Sequence, residues 1–361
     1  MIVGVPKEVK DSERRVSTTP AGAHEYVVRG HRVIVQRGAG VGSGFDDDEY
    51  AAAGADLVEG PEQVFAAAEL IVKVKEPVAA EYDLLRPNQI LFTYLHLAAD
   101  EPLTRALMRN RVAAVGYETV QLESGILPLL TPMSEVAGRM AVQVGAHYLE
   151  ATHGGAGMLL GGVPGVPGAN VVIVGGGVVG TNAAQIALGM GANVTIIDRN
   201  VERLRFLDQV LHGRINTLAS TRRTVAAAVR DADLVIGAVL IAGAKAPKLV
   251  SAEMIALMRP RSVVVDVAID QGGCIETARP TTHTNPTFVV DGVVHYCVTN
   301  MPGAVPRTST IALANATLPY GLDLAHFGLD EAVRRDPELA AGLNVRDGQI
   351  TYPAVAAAFG L

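Results

Sequence analysis

Short apolar runs alternate with stretches of helical periodicity along nearly the whole chain, and this alternation predicts an α/β protein. Strands are expected at 2–5, 32–36, 70–74, 90–94 and 112–117, with helical spacing of apolar positions across 20–29. Helical patterns separate most of the others. Such repetition calls for a parallel sheet covered by helices on both faces, so the first third reads as a doubly wound domain. Thr131 and Pro132 suit the N-cap and first position of a long helix through SEVAGRMAVQVGAHYLEA, which could bridge two domains. The segment GGAGMLLGGVPGVPGAN predicts turns, with a short strand at 158–160. Strands at 215–218, 234–239, 262–268 and 293–298 complete a second parallel sheet. Beyond Pro306 a further helix begins at Thr308 or Ser309, is interrupted at Pro319 and takes the chain back to the first domain. Residues 330–361 read as helix and loop. The expectation is two doubly wound Rossmann-like domains linked by long helices: 1–130 with 307–361, and 131–306.

The second domain holds the most informative stretch, VVIVGGGVVGTNAAQIALGMGANVTIID at 171–198. A β-branched run is followed by the G-x-G-x-x-G spacing of Gly175, Gly177 and Gly180, then by an apolar helix-forming run and a second strand. One glycine permits the tight turn, one lets a pyrophosphate approach the backbone, and one lets helix pack on strand. Asp198 ends the second strand about 20 residues further on, where a carboxylate accepts from ribose hydroxyls and repels a 2′-phosphate. NAD is therefore favoured over NADP, although Arg199 beside it could tolerate the extra phosphate. A membrane span is rejected for the uncharged part, 171–197, because a Gly-Gly-Gly triplet, two Asn and two Thr suit a buried βαβ unit better.

Composition narrows the class. A length of 361 residues suits two domains, and 49% hydrophobic with 19% charged residues leaves no room for a long disordered tail. A net charge of −7 without a basic block argues against a nucleic-acid surface. The N-terminus MIVGVPKEVKDSERR has no apolar core of a signal, so neither secretion nor a membrane anchor is expected. Cys274 and Cys297 lack metal spacing and are too few for a disulfide framework, which fits a reducing cytoplasm. No metal site is expected.

Ligands of open α/β sheets bind beyond the carboxyl ends of the strands, so reactive side chains just after apolar runs are the candidates. Arg15 lies in the loop after the first strand, Lys75 follows LIVKV and His96 follows ILFTYL. In the second domain Ser220 follows INTLA, Val239 and Leu240 end LVIGAVL, Asp270 ends VVVDVAI and Asn300 ends HYCVT. Two sheets with different chemistry at their strand ends suggest facing domains with a cleft between them. Each residue also has a plainer reading. Lys75 with Lys73 could form a solvated edge, His96 could cap a loop, Asp270 could hold turn N–H groups, and Arg15 with Glu13 could be a surface ion pair. Met133 and Tyr94 read as packing residues.

Longer motifs carry a family resemblance. GVPKE (4–8), ERRV (13–16), VKVKEP (72–77), LFTYLHLAAD (91–100), PMSEVAGRM (132–140), DLVIGAVL (233–240), GAKAPKLV (243–250), VDVAIDQGGC (265–274), RPTTH (279–283) and NMPGAVPRTST (300–310) are similar to L-alanine dehydrogenases. The cofactor-binding subunit of proton-translocating transhydrogenase and the lysine-forming saccharopine dehydrogenases share parts of the pattern. The resemblance implies reversible NAD-dependent oxidative deamination of L-alanine to pyruvate and ammonium, by a cytoplasmic homohexamer. It further implies that Arg15 and Lys75 hold the substrate and that His96 and Asp270 form the catalytic pair. Cofactor contacts would come from Ser134, Asp198, Arg203, Ser220 and Arg279, and from the backbone at Val239, Leu240, Val267, Ala268, Ile269, Asp270, Val298, Thr299, Asn300 and Met301. A dehydrogenase of another amino acid, the transhydrogenase subunit and a catalytically silent NAD-binding protein are the alternatives.

Overall fold

The computed structural model describes residues 1–239 and 246–360. The first six strands are β1 (Ile2–Val5), β2 (Arg32–Gln36), β3 (Asp56–Val58), β4 (Leu70–Val72), β5 (Ile90–Thr93) and β6 (Ala113–Gly116). After helix Thr131–Tyr148 come β7 (Asn170–Val174), β8 (Asn193–Asp198), β9 (Asn216–Ala219), β10 (Leu234–Gly237), β11 (Val263–Asp266), β12 (Thr287–Val290) and β13 (Val293–Tyr296). Helix Pro306–Arg335 then leads to β14 (Leu343–Arg346) and β15 (Gln349–Ile350). Two units result, Met1–Met133 with Val305–Leu361, and Ser134–Ala304.

In the first unit the strand order is β15-β14-β6-β5-β4-β1-β2-β3, and in the second β12-β13-β11-β10-β7-β8-β9. Each sheet therefore starts at an inner strand, runs to one edge and then crosses back. The order reverses between β1 and β4 in one unit and between β7 and β10 in the other. Such switch points open a crevice beyond the strand ends. The inner strands are apolar without alternation, as sheets covered on both faces require: LIV, ILFT, NVVIV and LVIG are almost wholly buried. Phe65, Ile71, Leu91, Leu103 and Leu107 belong to the core of the first unit, and Val172, Val235, Ile255 and Val264 to that of the second.

Several sequence expectations need correction. The sheets are mixed, because β14 pairs antiparallel with β6 and β15, and β12 pairs antiparallel with β13. Residues 330–361 therefore contain two strands as well as helices. Residues 158–160 form no strand; Met158 N–H bonds back to the Leu149 carbonyl at 3.2 Å instead. Thr131 is already helical, and its hydroxyl donates to the Leu127 carbonyl at 2.9 Å rather than capping the helix. Pro319 does not interrupt its helix, whose non-helical residue is Gly328 at φ 72° and ψ 168°. Most strands also end a residue or two before the expected limits.

Candidate active site

The cradle after β7 is built by its glycines. Gly175 has φ 108°, and a Cβ there would meet the Ala238 carbonyl oxygen at 2.6 Å. At Gly180 a Cβ would lie 1.9 Å from the Gly175 carbonyl oxygen, so only hydrogen allows helix Val178–Gly189 to pack this closely. A Cβ on Gly177 would meet nothing within 4 Å, and Gly177 gives the helix no side-chain cap. The first N–H groups of that helix are thus left to an anion, with open space before them. A pyrophosphate fits this donor set.

Asp198 at the end of β8 accepts from Gly176 N–H at 2.7 Å and Asn200 N–H at 2.8 Å. Two backbone bonds fix its carboxylate beside the glycines while leaving lone pairs for a ribose diol. Arg203 donates to the Gly176 carbonyl at 2.6 Å and to the Thr181 hydroxyl at 2.7 Å, and its burial lowers its pKa despite Asp198. The guanidinium thus braces the glycine turn. Ser220 is half-buried, and its N–H bonds to the Asp198 carbonyl at 2.9 Å. Val239 is half-buried just past β10, whereas Leu240 lies outside the described residues. Ser134 is half-buried in the first turn of helix Thr131–Tyr148, and Arg279 is exposed with its guanidinium 4.3 Å above the Phe288 ring.

Asp270 is exposed in the turn Val267–Gln271, which follows β11 and includes Ala268 and Ile269. It accepts from Asn300 N–H at 3.3 Å, while Gly272 and Gly273 N–H in the turn beside it bond to the Ile269 and Ala268 carbonyls. Asn300 stands at φ 55°, and its carbonyl faces His283 Nε2 at 3.3 Å. Val298 and Met301 are buried, and Thr299 N–H bonds to the Thr281 carbonyl at 3.2 Å. This arrangement presents one carboxylate on a constrained backbone.

In the first unit the structure brings Arg15, Lys75 and His96 to neighbouring strand ends. Arg15 is only 2% exposed, and its Nε donates to Glu13 Oε1 at 2.7 Å while Nη2 reaches Oε2. Its Nη1 donates to the sulfur of Met133 at 3.1 Å. The pair is buried, so the surface-ion-pair reading is wrong: Glu13 sets the plane of the guanidinium. Lys73 is no solvated edge either, since it is wholly buried between Glu81 at 2.9 Å and Glu8 at 3.2 Å. Burial opposes its charge, but the two carboxylates outweigh burial and raise its pKa. Glu8 also accepts from Val74 N–H at 2.6 Å and Lys75 N–H at 3.4 Å, fixing the backbone that presents Lys75. Burial and then the Arg15 charge lower the pKa of Lys75. The Glu76 carboxyl is pushed up by burial but drawn lower overall by Lys10, His96 and Lys75.

His96 is an exposed imidazole on a left-handed residue, φ 52°. It precedes the turn Leu97–Ala99 but gives it no side-chain cap, so the capping reading fails. Glu118 accepts from its N–H at 2.6 Å, and the ring stacks on Tyr94 with centroids 6.0 Å apart and planes 11° apart. Tyr94 in turn donates to the Leu129 carbonyl at 2.6 Å. Tyr94 and Met133 therefore do more than pack, since each touches a candidate residue. Glu8, Glu81 and Glu118 were not anticipated from the sequence, and Glu13 only as a surface partner of Arg15; the acids in GVPKE and ERRV were the available signal.

Comparison with known proteins covers both units. Residues 4–137 match the N-terminal domain model, and 141–353 the C-terminal domain model, of alanine dehydrogenase/PNT. An alanine dehydrogenase of Methanococcus maripaludis is 57% identical over 100% of this chain and 97% of its own. A solved L-alanine dehydrogenase superposes with a TM-score of 0.97 at 53% identity, covering 100% of this chain and 99% of that one. A transhydrogenase structure from Sinorhizobium meliloti gives a TM-score of 0.85 at 25% identity, covering 97% and 100%. On both domain models and full-length similarity, this chain belongs to the alanine dehydrogenase/PNT family.

Proposed function

We propose that the protein is an NAD-dependent L-alanine dehydrogenase, interconverting L-alanine with pyruvate and ammonium. The observation that carries this reading is the grouping of Arg15, Lys75 and His96 in one unit of a chain whose other unit carries a dinucleotide cradle. A transhydrogenase subunit passes hydride between nucleotides and has no use for two cations aimed at a small carboxylate. Alanine dehydrogenases of similar length and high identity support the choice.

In this reading Arg15 and Lys75 attract the carboxylate and carbonyl of the 2-oxo acid, with Glu13 and Glu8 holding each in place. The pyrophosphate takes the helix start at Gly177, and Asp198 accepts from the adenosine ribose. Ser134, Ser220, Arg279 and the backbone at Val239, Leu240, 267–270 and 298–301 complete the cofactor contacts. When bound, the cofactor would supply the hydride chemistry, NADH as donor for amination and NAD as acceptor for deamination. Ammonia adds to pyruvate to give a carbinolamine, and loss of its hydroxyl as water requires a proton. His96 gives and takes protons at these steps, because an imidazole exchanges them near neutrality. Asp270 favours the positive charge of the developing iminium. The proposal includes a cytoplasmic homohexamer, which light scattering on the purified chain measures for its assembly.

The test is NADH oxidation with pyruvate plus ammonium, run beside 2-oxobutyrate, glyoxylate and 2-oxoglutarate and repeated with NADPH. Turnover should be highest with pyruvate, NADH and ammonium together. No ammonium-dependent oxidation with any of these acids would leave the silent NAD-binding protein or the transhydrogenase subunit.

A further inference from the structure

Outside every residue named above for the reaction, helix Thr131–Tyr148 ends in a group of three metal-ligating side chains. His147 lies in its last turn, Glu150 begins the following turn Ala151–His153, and His153 ends that turn. We propose that His147, Glu150 and His153 form a binding site for one late first-row divalent cation of the zinc type.

The spacing of three residues between successive ligands places the side chains on one side of a tightly wound backbone. Hydrogen bonds hold that backbone: Glu150 N–H to the His147 carbonyl at 3.2 Å, His153 N–H to Glu150 at 3.0 Å, and Gly155 N–H to Glu150 at 3.0 Å. One ligand atom from each side chain lies within 4.8 Å of the others. Glu150 stands 3.3 Å from His153 Nδ1 and 4.0 Å from His147 Nδ1. Tetrahedral zinc with bonds near 2 Å needs ligand separations of about 3.3 Å, so small side-chain rotations close the site. The two imidazole centroids lie 3.7 Å apart, so both rings are within reach of one ion once they turn their nitrogens toward it.

Charge and ligand type select the ion. Two imidazoles and one carboxylate favour zinc, nickel or copper over magnesium and calcium, which prefer all-oxygen shells. Residues 141–160 contain no Lys or Arg, and among the described residues the ion-pair partners of Glu150 are these two imidazoles. The hydroxyl of Thr152 lies 3.3 Å from His153 Nδ1, a weak contact that a metal at that nitrogen would displace. The side chains are 48%, 55% and 37% exposed in chain order, so an ion reaches them from solvent without unfolding. Three protein ligands leave a further position for water. A bound ion would tie the last helical turn to the glycine-rich segment leading into β7.

The experiment uses the chelator-stripped full-length protein, with Zn²⁺ and Mg²⁺ titrated separately by calorimetry and the melting temperature read with and without each. Wild type should take up one Zn²⁺ per chain and melt higher with it, with no matching response to Mg²⁺. His147→Gln and His153→Gln should each weaken Zn²⁺ by about tenfold or more, and lose the metal-dependent shift while melting like wild type without metal. Cys274 and Cys297 are wholly buried and remain in both variants, so thiol binding would persist in them. Absence of stoichiometric Zn²⁺ in wild type, equal Zn²⁺ binding in either variant, or equal response to Mg²⁺ would overturn the site.

Discussion

Among single residues, Lys75 ties function to stability. Its pKa is depressed from 10.5 first by burial and then by the Arg15 charge. Between its folded and ordinary values the unfolded chain binds more protons than the folded one, so stability rises with pH across that window. Below the window both states are protonated and the penalty of the buried charge stands in full. Lys75→Met removes that penalty, so the variant should melt above wild type near neutral pH, with the gap narrowing as pH rises from the depressed value toward the ordinary 10.5. Its KM for pyruvate should rise at the same time. A gap independent of pH would contradict the account. His96→Ala should lose about 10² to 10⁴ in turnover with NADH binding intact, the usual contribution of an acid–base group; near-normal turnover would remove it from the mechanism. Asp198→Ala should weaken NADH and narrow its advantage over NADPH, read by fluorescence titration with both nucleotides. The candidate cations and the glycines were legible because strand ends and glycine spacing are local signals. Glu8 and Glu81 were not, because nothing within VKVKEP shows that Lys73 is buried against an acid 65 positions earlier in one direction and one 8 residues later in the other.

Elements were legible where the strand is apolar throughout and hidden where it is not. The inner strands announce themselves as buried apolar runs, whereas β3, β12, β14 and β15 carry half-buried or exposed positions. Both overlooked hairpins nevertheless carry the strongest short turn signal, Asp-Gly. Asp291 and Gly292 stand at φ 49° and 78°, and Asp347 and Gly348 at 52° and 79°. Pro319 misled for a different reason. It is exposed, as is Asn315, whose carbonyl it cannot serve, so that carbonyl is lost to the helix on its solvent side and the helix continues past it. The break falls at Gly328, whose φ 72° and ψ 168° belong to a region that residues with a Cβ avoid. A Cβ there would meet nothing within 4 Å, so the cost of Gly328→Ala is backbone strain alone, about 1 to 3 kcal/mol. Pro319→Ala should instead stabilise, by no more than about 3 kcal/mol. Urea unfolding of the two variants checks both signs, and equal effects would show that the helix is broken at the proline after all.

For the whole molecule, chain order decides which part can stand alone. Ser134–Ala304 is continuous, with a seven-stranded sheet and a core drawn from its own residues. Met1–Met133 is incomplete without Val305–Leu361, because β14 covers the edge of β6 and Val345 and Val355 fill its core. Asn344 makes the dependence specific, donating to the Thr119 hydroxyl at 2.6 Å and the Gly342 carbonyl at 2.8 Å from a buried position. Without the returning segment, β6 would expose an unpaired apolar edge of the kind that aggregates. Expressed separately, residues 134–304 should fold cooperatively and bind NADH, and should show no oxidation of it with pyruvate and ammonium. Residues 1–133 should be insoluble or molten by the same measurements, and adding residues 305–361 through a short linker should restore a cooperative transition. A soluble, cooperatively folded 1–133, or a 134–304 fragment unable to bind NADH, would mean that the division of folding and binding follows some other line than the two sheets.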